Sequence, residues 1–471
     1  MKLRLPLLVA LLAGATPLAA QTMQLTPVQQ QARAIFRELI EINTSWKEGS
    51  TTPAARAIAN RFLAAGWAAK DVLVLGPAGD KDSNVVVRFT GKSKTLKPIL
   101  LIAHLDVVEA LRSDWSMDPF KLTEKDGYFY GRGTSDVKDG ATTLIMALLR
   151  MKQEGIVPNR TLVLALTAGE EGGGGYDGME WLAKEHRDLI DAAFCINVDG
   201  GDPQIVNGKR LTRPVQTSEK LYQSYTLAVT NPGGHSSMPT PENAIVRLAD
   251  ALGRVGRFAF PVHVTETTRG YLAKQATLEP AGSELAPAMR AIVANEHDAA
   301  AAAKLSAASP FYNAQLRTTC VPTMLSGGHA ENALPQTARA VVNCRIMPGE
   351  TPAQTQATLV KVIADDSVRV TPIDSATPAD PSPLSPAVMD PVERVTARLW
   401  PGVVVIPVLE TGATDGYYLR AAGIPTYGMA GVFIDVDDFR AHGKDERILV
   451  KSFYDGVEYV YQLVKEYAAA R

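Results

Sequence analysis

The chain has 471 residues, with 48 Lys+Arg against 50 Asp+Glu, a formal net charge of −2, 46% hydrophobic residues and 21% charged residues. At about 150 residues per domain this describes a globular protein of two or three lobes, and its charge balance excludes a protein that grips nucleic acid through a basic face. With only 7 His and 3 Cys, neither a Cys-rich zinc scaffold nor a disulfide framework is available, so any metal site must be built mostly from carboxylates.

The first elements read as an export signal. Lys2 and Arg4 precede an apolar run over 5–12 and small residues over 17–20 before Gln21. This is the order of a secretory signal peptide, the alternative being a buried N-terminal helix. Residues 1–20 are therefore expected to direct secretion, to the periplasm in a Gram-negative source. The apolar run is too short to span a bilayer, and no later segment reaches the ~18 uncharged apolar residues a spanning helix needs; no stable membrane insertion is expected.

Helical periodicity follows over 28–42 and 54–65. Apolar runs at 84–89, 99–103, 161–167 and 193–198 then alternate with amphipathic stretches at 140–153 and 177–186. That alternation predicts an α/β fold with a central, mostly parallel sheet covered on both faces, its chemistry collecting in loops at strand ends. Near Thr217 the texture changes. Predicted strands at 222–230, 337–346 and 368–372, with helices at 241–254 and 354–363, suit a small α+β lobe. A stretch over 258–309, including the Ala-rich 299–308, reads as an extra helical insertion. After a Pro/Ser-rich linker at 377–386, α/β texture returns with strands at 403–409 and 424–429 and a terminal helix from Leu449. The expected division is a catalytic domain over 21–216 and 377–471, split by an inserted domain over 217–376. Cys195 lies in an apolar run as a small buried hydrophobe. Cys320 and Cys344 flank a predicted hairpin centred on Asn332 and can face each other across it, as a disulfide or as two thiols.

Five loops each offer an acid or an imidazole. Ala103-His104-Leu105-Asp106-Val107 puts His104 and Asp106 on one side of an extended chain, where the carboxylate can take a hydrogen bond from the ring and fix its tautomer. Gly131-Arg132-Gly133-Thr134-Ser135-Asp136-Val137-Lys138 turns sharply and brings Asp136 forward; its plainer reading is Asp136 as a helix N-cap. Ala168-Gly169-Glu170-Glu171-Gly172 sets two adjacent glutamates just beyond an apolar strand, costly if buried unless a cation neutralises them. Asn197-Val198-Asp199-Gly200-Gly201 repeats the pattern, and Arg440-Ala441-His442-Gly443-Lys444-Asp445-Glu446 precedes the terminal helix. Together they supply two His and several carboxylates, a set suited to a pair of zinc-like ions.

The ordered succession His-Leu-Asp-Val, Gly-Arg-Gly-Thr-Ser-Asp-Val-Lys, Glu-Glu-Gly, Asp-Gly-Gly, Gly-Gly-His-Ser-Ser and Ala-His-Gly resembles the M20 metallopeptidases over nearly the whole mature chain. That group includes carboxypeptidase S, glutamate carboxypeptidase, aminoacylase-1 and succinyl-diaminopimelate desuccinylase. Gly327-Gly328, Asn332-Ala333-Leu334-Pro335 and Asn343-Cys344-Arg345 look most like the carboxypeptidase S branch. The resemblance implies a zinc-peptidase-type catalytic domain with an inserted ferredoxin-like lid and dimerisation domain. It implies two divalent ions, zinc first with cobalt or manganese as alternatives: one held by His104 and Asp199, the other by Glu171 and His442, with Asp136 bridging both. Asp106 would orient His104, Glu170 would be the general base, and the peptide bond after Asp136 would be cis. His235 would stabilise the oxyanion, usually across a dimer, and Asn332, Arg345 and Gly412 would bind substrate. Ala413 departs from the third small polar residue or glycine of many relatives.

The implied reaction is hydrolysis of an amide bond beside a free carboxylate, on a small peptide or an N-acyl amino acid. A carboxypeptidase or dipeptidase and an N-acyl-amino-acid deacylase share every residue named. A binding protein on the same fold would lack a ligand or Glu170, and no Gly-x-Ser-x-Gly follows a strand to support a serine hydrolase.

Overall fold

The structure is a computed structural model and describes residues 24–172, 175–374 and 376–470. The expected signal segment 1–20, together with Gly173 and Gly174 of the glycine run, lies outside the described residues. The central strands form because their sequences are apolar on both faces. Ile99–His104 and Leu162–Thr167 are buried along their whole length, as strands sandwiched between helix layers must be. They pair in parallel from Ile99 opposite Leu162 to His104 opposite Thr167, and Phe194–Asn197 pairs in parallel on the other side of Ile99–His104. This triplet centres a 10-stranded mixed sheet. Asn84–Phe89 joins one side antiparallel, and Thr426–Gly428 extends the other in parallel.

Helices cover both faces. Pro27–Glu41 opens with a capping box in which Thr26 and Gln29 satisfy each other's backbone. Helix Lys138–Gln153 is buried on nearly every side and shares one core with Pro27–Glu41 and the terminal helix Val450–Ala469. Phe36 and Phe453 stack there at 4.6 Å, each such side chain contributing roughly 1.5–3 kcal/mol by burial. Met179 and Leu182 of helix Gly178–Glu185 pack against Leu100, Ile102 and Val163 on the opposite face.

A second, antiparallel sheet runs in the order Thr319–Gly327, Thr337–Ile346, Leu221–Thr230, Arg369–Ile373. Helices Ala244–Arg257 and Pro352–Ile363 share its core, which gives the ferredoxin-like order of elements. The first of these helices begins at Ala244 rather than at Pro241. The Asn243 side chain accepts from the backbone N–H of Ile245 and Val246, and this cap sets the start.

The helical insertion consists of Glu266–Leu278, Leu285–Ala294, Ala299–Ala308 and Pro310–Leu316. Although it lies within the small lobe in sequence, it packs on the large sheet. Leu272, Met289 and Leu305 share a core with Ile406 and Val408 of strand Val404–Glu410, and the buried Gln315 Nε2 donates to Leu409 O at 2.6 Å. Among the described residues that strand pairs only with Lys209–Glu219, so the insertion covers a sheet edge that would otherwise stand open.

Cys320 and Cys344 lie directly opposite each other on neighbouring strands and are disulfide-bonded, while Cys195 is free and buried. Alkylation of the denatured protein, read by mass spectrometry, is expected to add one label without reductant and three with it; three labels without reductant would contradict the bond.

Candidate metal centre

The central triplet delivers three loops to one edge. His104 ends its strand, Glu170 and Glu171 follow Leu162–Thr167, and Asp199 follows Phe194–Asn197. Parallel strands present their C-terminal ends on the same side, so three separate sequence segments converge there. Backbone bonds lock the exits: Leu105 N donates to Thr167 O at 2.7 Å and Val198 N to Ile102 O at 3.1 Å. Gly169 is required for the Glu170-Glu171 turn, because its φ is +85° and a Cβ there would sit 2.0 Å from Tyr176 O. Asp136 arrives from the loop before helix Lys138–Gln153, and His442, at φ +61°, from the loop before the terminal helix.

Asp136 occupies the middle. Its Oδ1 lies 3.1 Å from His104 Nε2 and its Oδ2 3.1 Å from His442 Nε2. It caps nothing: Val137 is the N-cap of the helix, and the Asp136–Val137 peptide is cis. His442 Nε2 is also 3.0 Å from Glu171 Oε1. Two ligand groups result, His104–Asp136–Asp199 and Asp136–Glu171–His442, each with its ligand atoms within 4.8 Å of one another. Asp106 holds His104 differently from expectation. The ring Nδ1 bonds the Asp106 backbone carbonyl at 3.0 Å, its carboxylate Oδ1 standing 3.8 Å away. Oδ2 instead accepts the Glu171 N–H at 3.0 Å. The strand ends at His104, and the Asp106 carbonyl and carboxylate each hold a different residue of the candidate groups.

The electrostatics fit cations. Burial first, then the charges of Glu171, Asp106 and Asp136, outweigh the pull of His104 and push Glu170 up to about 8. Burial and the nearby Glu170 likewise push Asp199 well above the carboxylate range. Asp136 goes the other way: burial opposes, but hydrogen bonds from His104 and His442 hold it below that range. His442 is pushed up to about 10 by its bonds to Asp136 and Glu171. Among the described residues no Lys or Arg forms an ion pair with Asp136, Glu170, Glu171 or Asp199, and the partners of Asp136 and Glu171 are the two imidazoles. Oxygen and imidazole donors crowded beyond what two His can neutralise suit divalent cations.

The remaining candidates lie on the smaller lobe or at its border. His235 pairs across a two-stranded ribbon with Ala333, and its ring Nδ1 lies 2.8 Å from Ser237 Oγ. Asn332 O accepts from Ser236 N at 3.0 Å. Both residues are exposed, and their described hydrogen bonds stay within that ribbon. Arg345 sits on Thr337–Ile346 with its guanidinium 4.7 Å from the Tyr222 ring and a buried, unpartnered Nη1. Gly412 follows strand Val404–Glu410, its N–H 3.5 Å from Glu410 Oε1. Residues without a role in the sequence reading also shape the site. Arg213 is fully buried and donates to Gly201 O at 2.9 Å, holding the Asp199 loop, while Thr167 Oγ1 donates to Asp415 Oδ2 at 2.6 Å. An Arg within a strand carries no local signal of such a task.

Two convergent carboxylate–imidazole groups at the strand ends of a two-lobed α/β fold define the class, a hydrolase scaffold with a candidate two-ion centre. Residues 100–466 match peptidase family M20/M25/M40, and the chain belongs to that family of hydrolytic enzymes. It is 30% identical over 387 residues to human N-fatty-acyl-amino acid synthase/hydrolase PM20D1, spanning 80% of this chain and 75% of the relative. It is 28% identical over 393 residues to a probable carboxypeptidase S-like 2 of Dictyostelium discoideum, spanning 81% and 74%. The fold is similar to that of an M20 family metallo-carboxypeptidase from Sulfolobus solfataricus, with a TM-score of 0.66 at 16% identity over 93% of this chain and 99% of that one.

Replacing Gly169 by Ala is expected to destabilise the fold by at least ~1–2 kcal/mol, the penalty of a left-handed L-residue. Urea unfolding measures it, and an unchanged midpoint would contradict the close approach to Tyr176.

Proposed function

We propose that the protein hydrolyses an amide bond beside a free carboxylate, as a carboxypeptidase or dipeptidase. The observation that carries the reading is Asp136, with one oxygen toward each of two imidazoles. His104, Asp136 and Asp199 would hold one divalent ion and Asp136, Glu171 and His442 the other, zinc being the first choice and cobalt or manganese suiting the same donors. Bound there, the ions supply positive charge that acidifies water and polarises a carbonyl.

Glu170 takes the proton of the attacking water and returns it to the leaving amine. His235 donates a hydrogen bond to the developing oxyanion. Its exposure fits service in a second copy, and a homodimer is supported by the edge strand Thr319–Gly327, where Val321, Met324 and Leu325 are 54%, 67% and 70% exposed. Arg345, with its unpartnered Nη1, grips the substrate carboxylate, assisted by Asn332 and the backbone at Gly412.

A cavity of about 300 Å³ has Tyr222, the neighbour of Arg345, in its wall together with Ala413, Tyr417 and Tyr418 and the charged Glu219, Lys220 and Asp374. The three tyrosines in that wall, together with the name of the human relative, favour a second reading in which N-acyl amino acids are the substrates. Export completes the proposal, supported by the order of residues 1–20 and by a disulfide suited to an oxidising compartment.

Glu170→Gln is expected to keep its metal content and lose about 10²–10⁴-fold in kcat, the usual worth of a general base; full activity would contradict the role. A screen of dipeptides against N-acyl amino acids, with and without chelator, separates the two substrate readings, and activity that survives complete metal removal would overturn both.

A further inference from the structure

The loop that carries Asp136 and the loop that carries His442 are joined by one buried ion pair. Arg132 Nη1 donates to Glu446 Oε2 at 2.6 Å, with the two side chains 3% and 0% exposed. Neither residue belongs to the candidate ligand groups. Both carboxylate oxygens of Glu446 also bond the Asp136 loop. Oε2 also accepts the Gly133 N–H at 3.1 Å, and Oε1 accepts the Ser135 N–H at 2.7 Å and the Ser135 hydroxyl at 3.1 Å. Arg132 reaches the other way, its Nη2 donating to Gly443 O at 3.0 Å and His442 O at 3.4 Å. Lys138, the neighbouring buried cation, is spent on Leu39 O and Ile42 O.

We infer that Arg132 and Glu446 are positioning residues that set the distance between Asp136 and His442 and so form the second of the two ion sites. The inference rests on the proposed two-ion centre. The left-handed backbone of His442 and Asp445, at φ +61° and +51°, does not hold itself, because an L-residue other than glycine disfavours that region. The guanidinium bonds to His442 O and Gly443 O, and the Asp445 Oδ1 bonds from Ser116 N and Oγ at 2.9 and 3.0 Å, keep the loop in place. The group Asp136–Glu171–His442 draws on both loops that the pair joins, whereas His104–Asp136–Asp199 shares only Asp136 with them, so loss of the pair weakens the second site more than the first. Breaking a buried pair leaves an unpaired charge, so Glu446→Gln, which strands Arg132, is read beside Arg132→Lys, which keeps both charges.

The test is calorimetric titration of the full chain, freed of metal, with zinc ions and in parallel with cobalt ions. It is run on the wild type, Glu446→Gln, Arg132→Lys and, as the reference for a lost second site, His442→Ala. The wild type is expected to take up two ions. Glu446→Gln and Arg132→Lys are expected to keep the first ion with the smaller loss of affinity and bind the second about 10–100-fold more weakly, the usual effect of an outer-sphere partner. Their isotherms would then approach that of His442→Ala, and saturating metal would restore their turnover. The retained first ion shows that the variant chains fold. Two ions at wild-type affinity in both variants, or equal loss of both ions, would overturn the inference. A wild type that binds fewer than two ions would instead overturn the metal centre on which it rests.

Discussion

Carboxylates crowded into a dry site repel one another more strongly than in water, and this repulsion is the constraint around which the molecule is arranged. Asp106, Asp136, Glu170, Glu171 and Asp199 meet at one edge of a buried sheet with two imidazoles as their only described cationic neighbours of short range. Such a cluster holds together only if the backbone gives its members no freedom to retreat. The central strands are fully buried, their exits are tied by backbone hydrogen bonds, and the Glu170-Glu171 turn is closed against Tyr176 by a glycine that admits no side chain. Rigid elements deliver the acids, and the charge they share makes the site select cations.

The same economy links the site to the second lobe. Lys220 is the residue between the long strand Lys209–Glu219 and the first strand of the smaller sheet. Its buried ammonium donates to Arg317 O at 2.7 Å and Thr319 Oγ1 at 3.3 Å, which ties the junction to the end of the helical insertion. That insertion is packed on the large sheet through Ile406 and Val408. The junction between lobes is therefore held by side chains as well as by the chain itself, and any movement of the smaller lobe must reckon with this tie.

Much of this was legible in sequence for local reasons. Strands Asn84–Phe89 and Thr337–Ile346 fall where their apolar patterns begin and end, and the strand-end loops stand out because acids beside glycines are unusual after apolar runs. What escaped depends on distance or on local competition. Arg132 and Glu446 lie 314 residues apart, so nothing in either segment announces the pair. The helix after His235 starts at Ala244 because an Asn side chain can cap and Pro241 cannot. Asp106 serves His104 through its carbonyl because the chain turns within two residues, a conformational detail that alternation of side chains does not carry. The insertion was readable as helical from its Ala-rich composition, but its apolar faces do not say which lobe they cover.

The two acid–imidazole groups sharing Asp136 are proposed to hold two divalent ions. Crystals of the full chain grown with zinc, measured on both sides of the zinc absorption edge, test this directly. Two anomalous peaks are expected, one among His104, Asp136 and Asp199 and one among Asp136, Glu171 and His442, with Asp136 between them. Anomalous density elsewhere in the molecule, and none at these residues, would contradict that proposal.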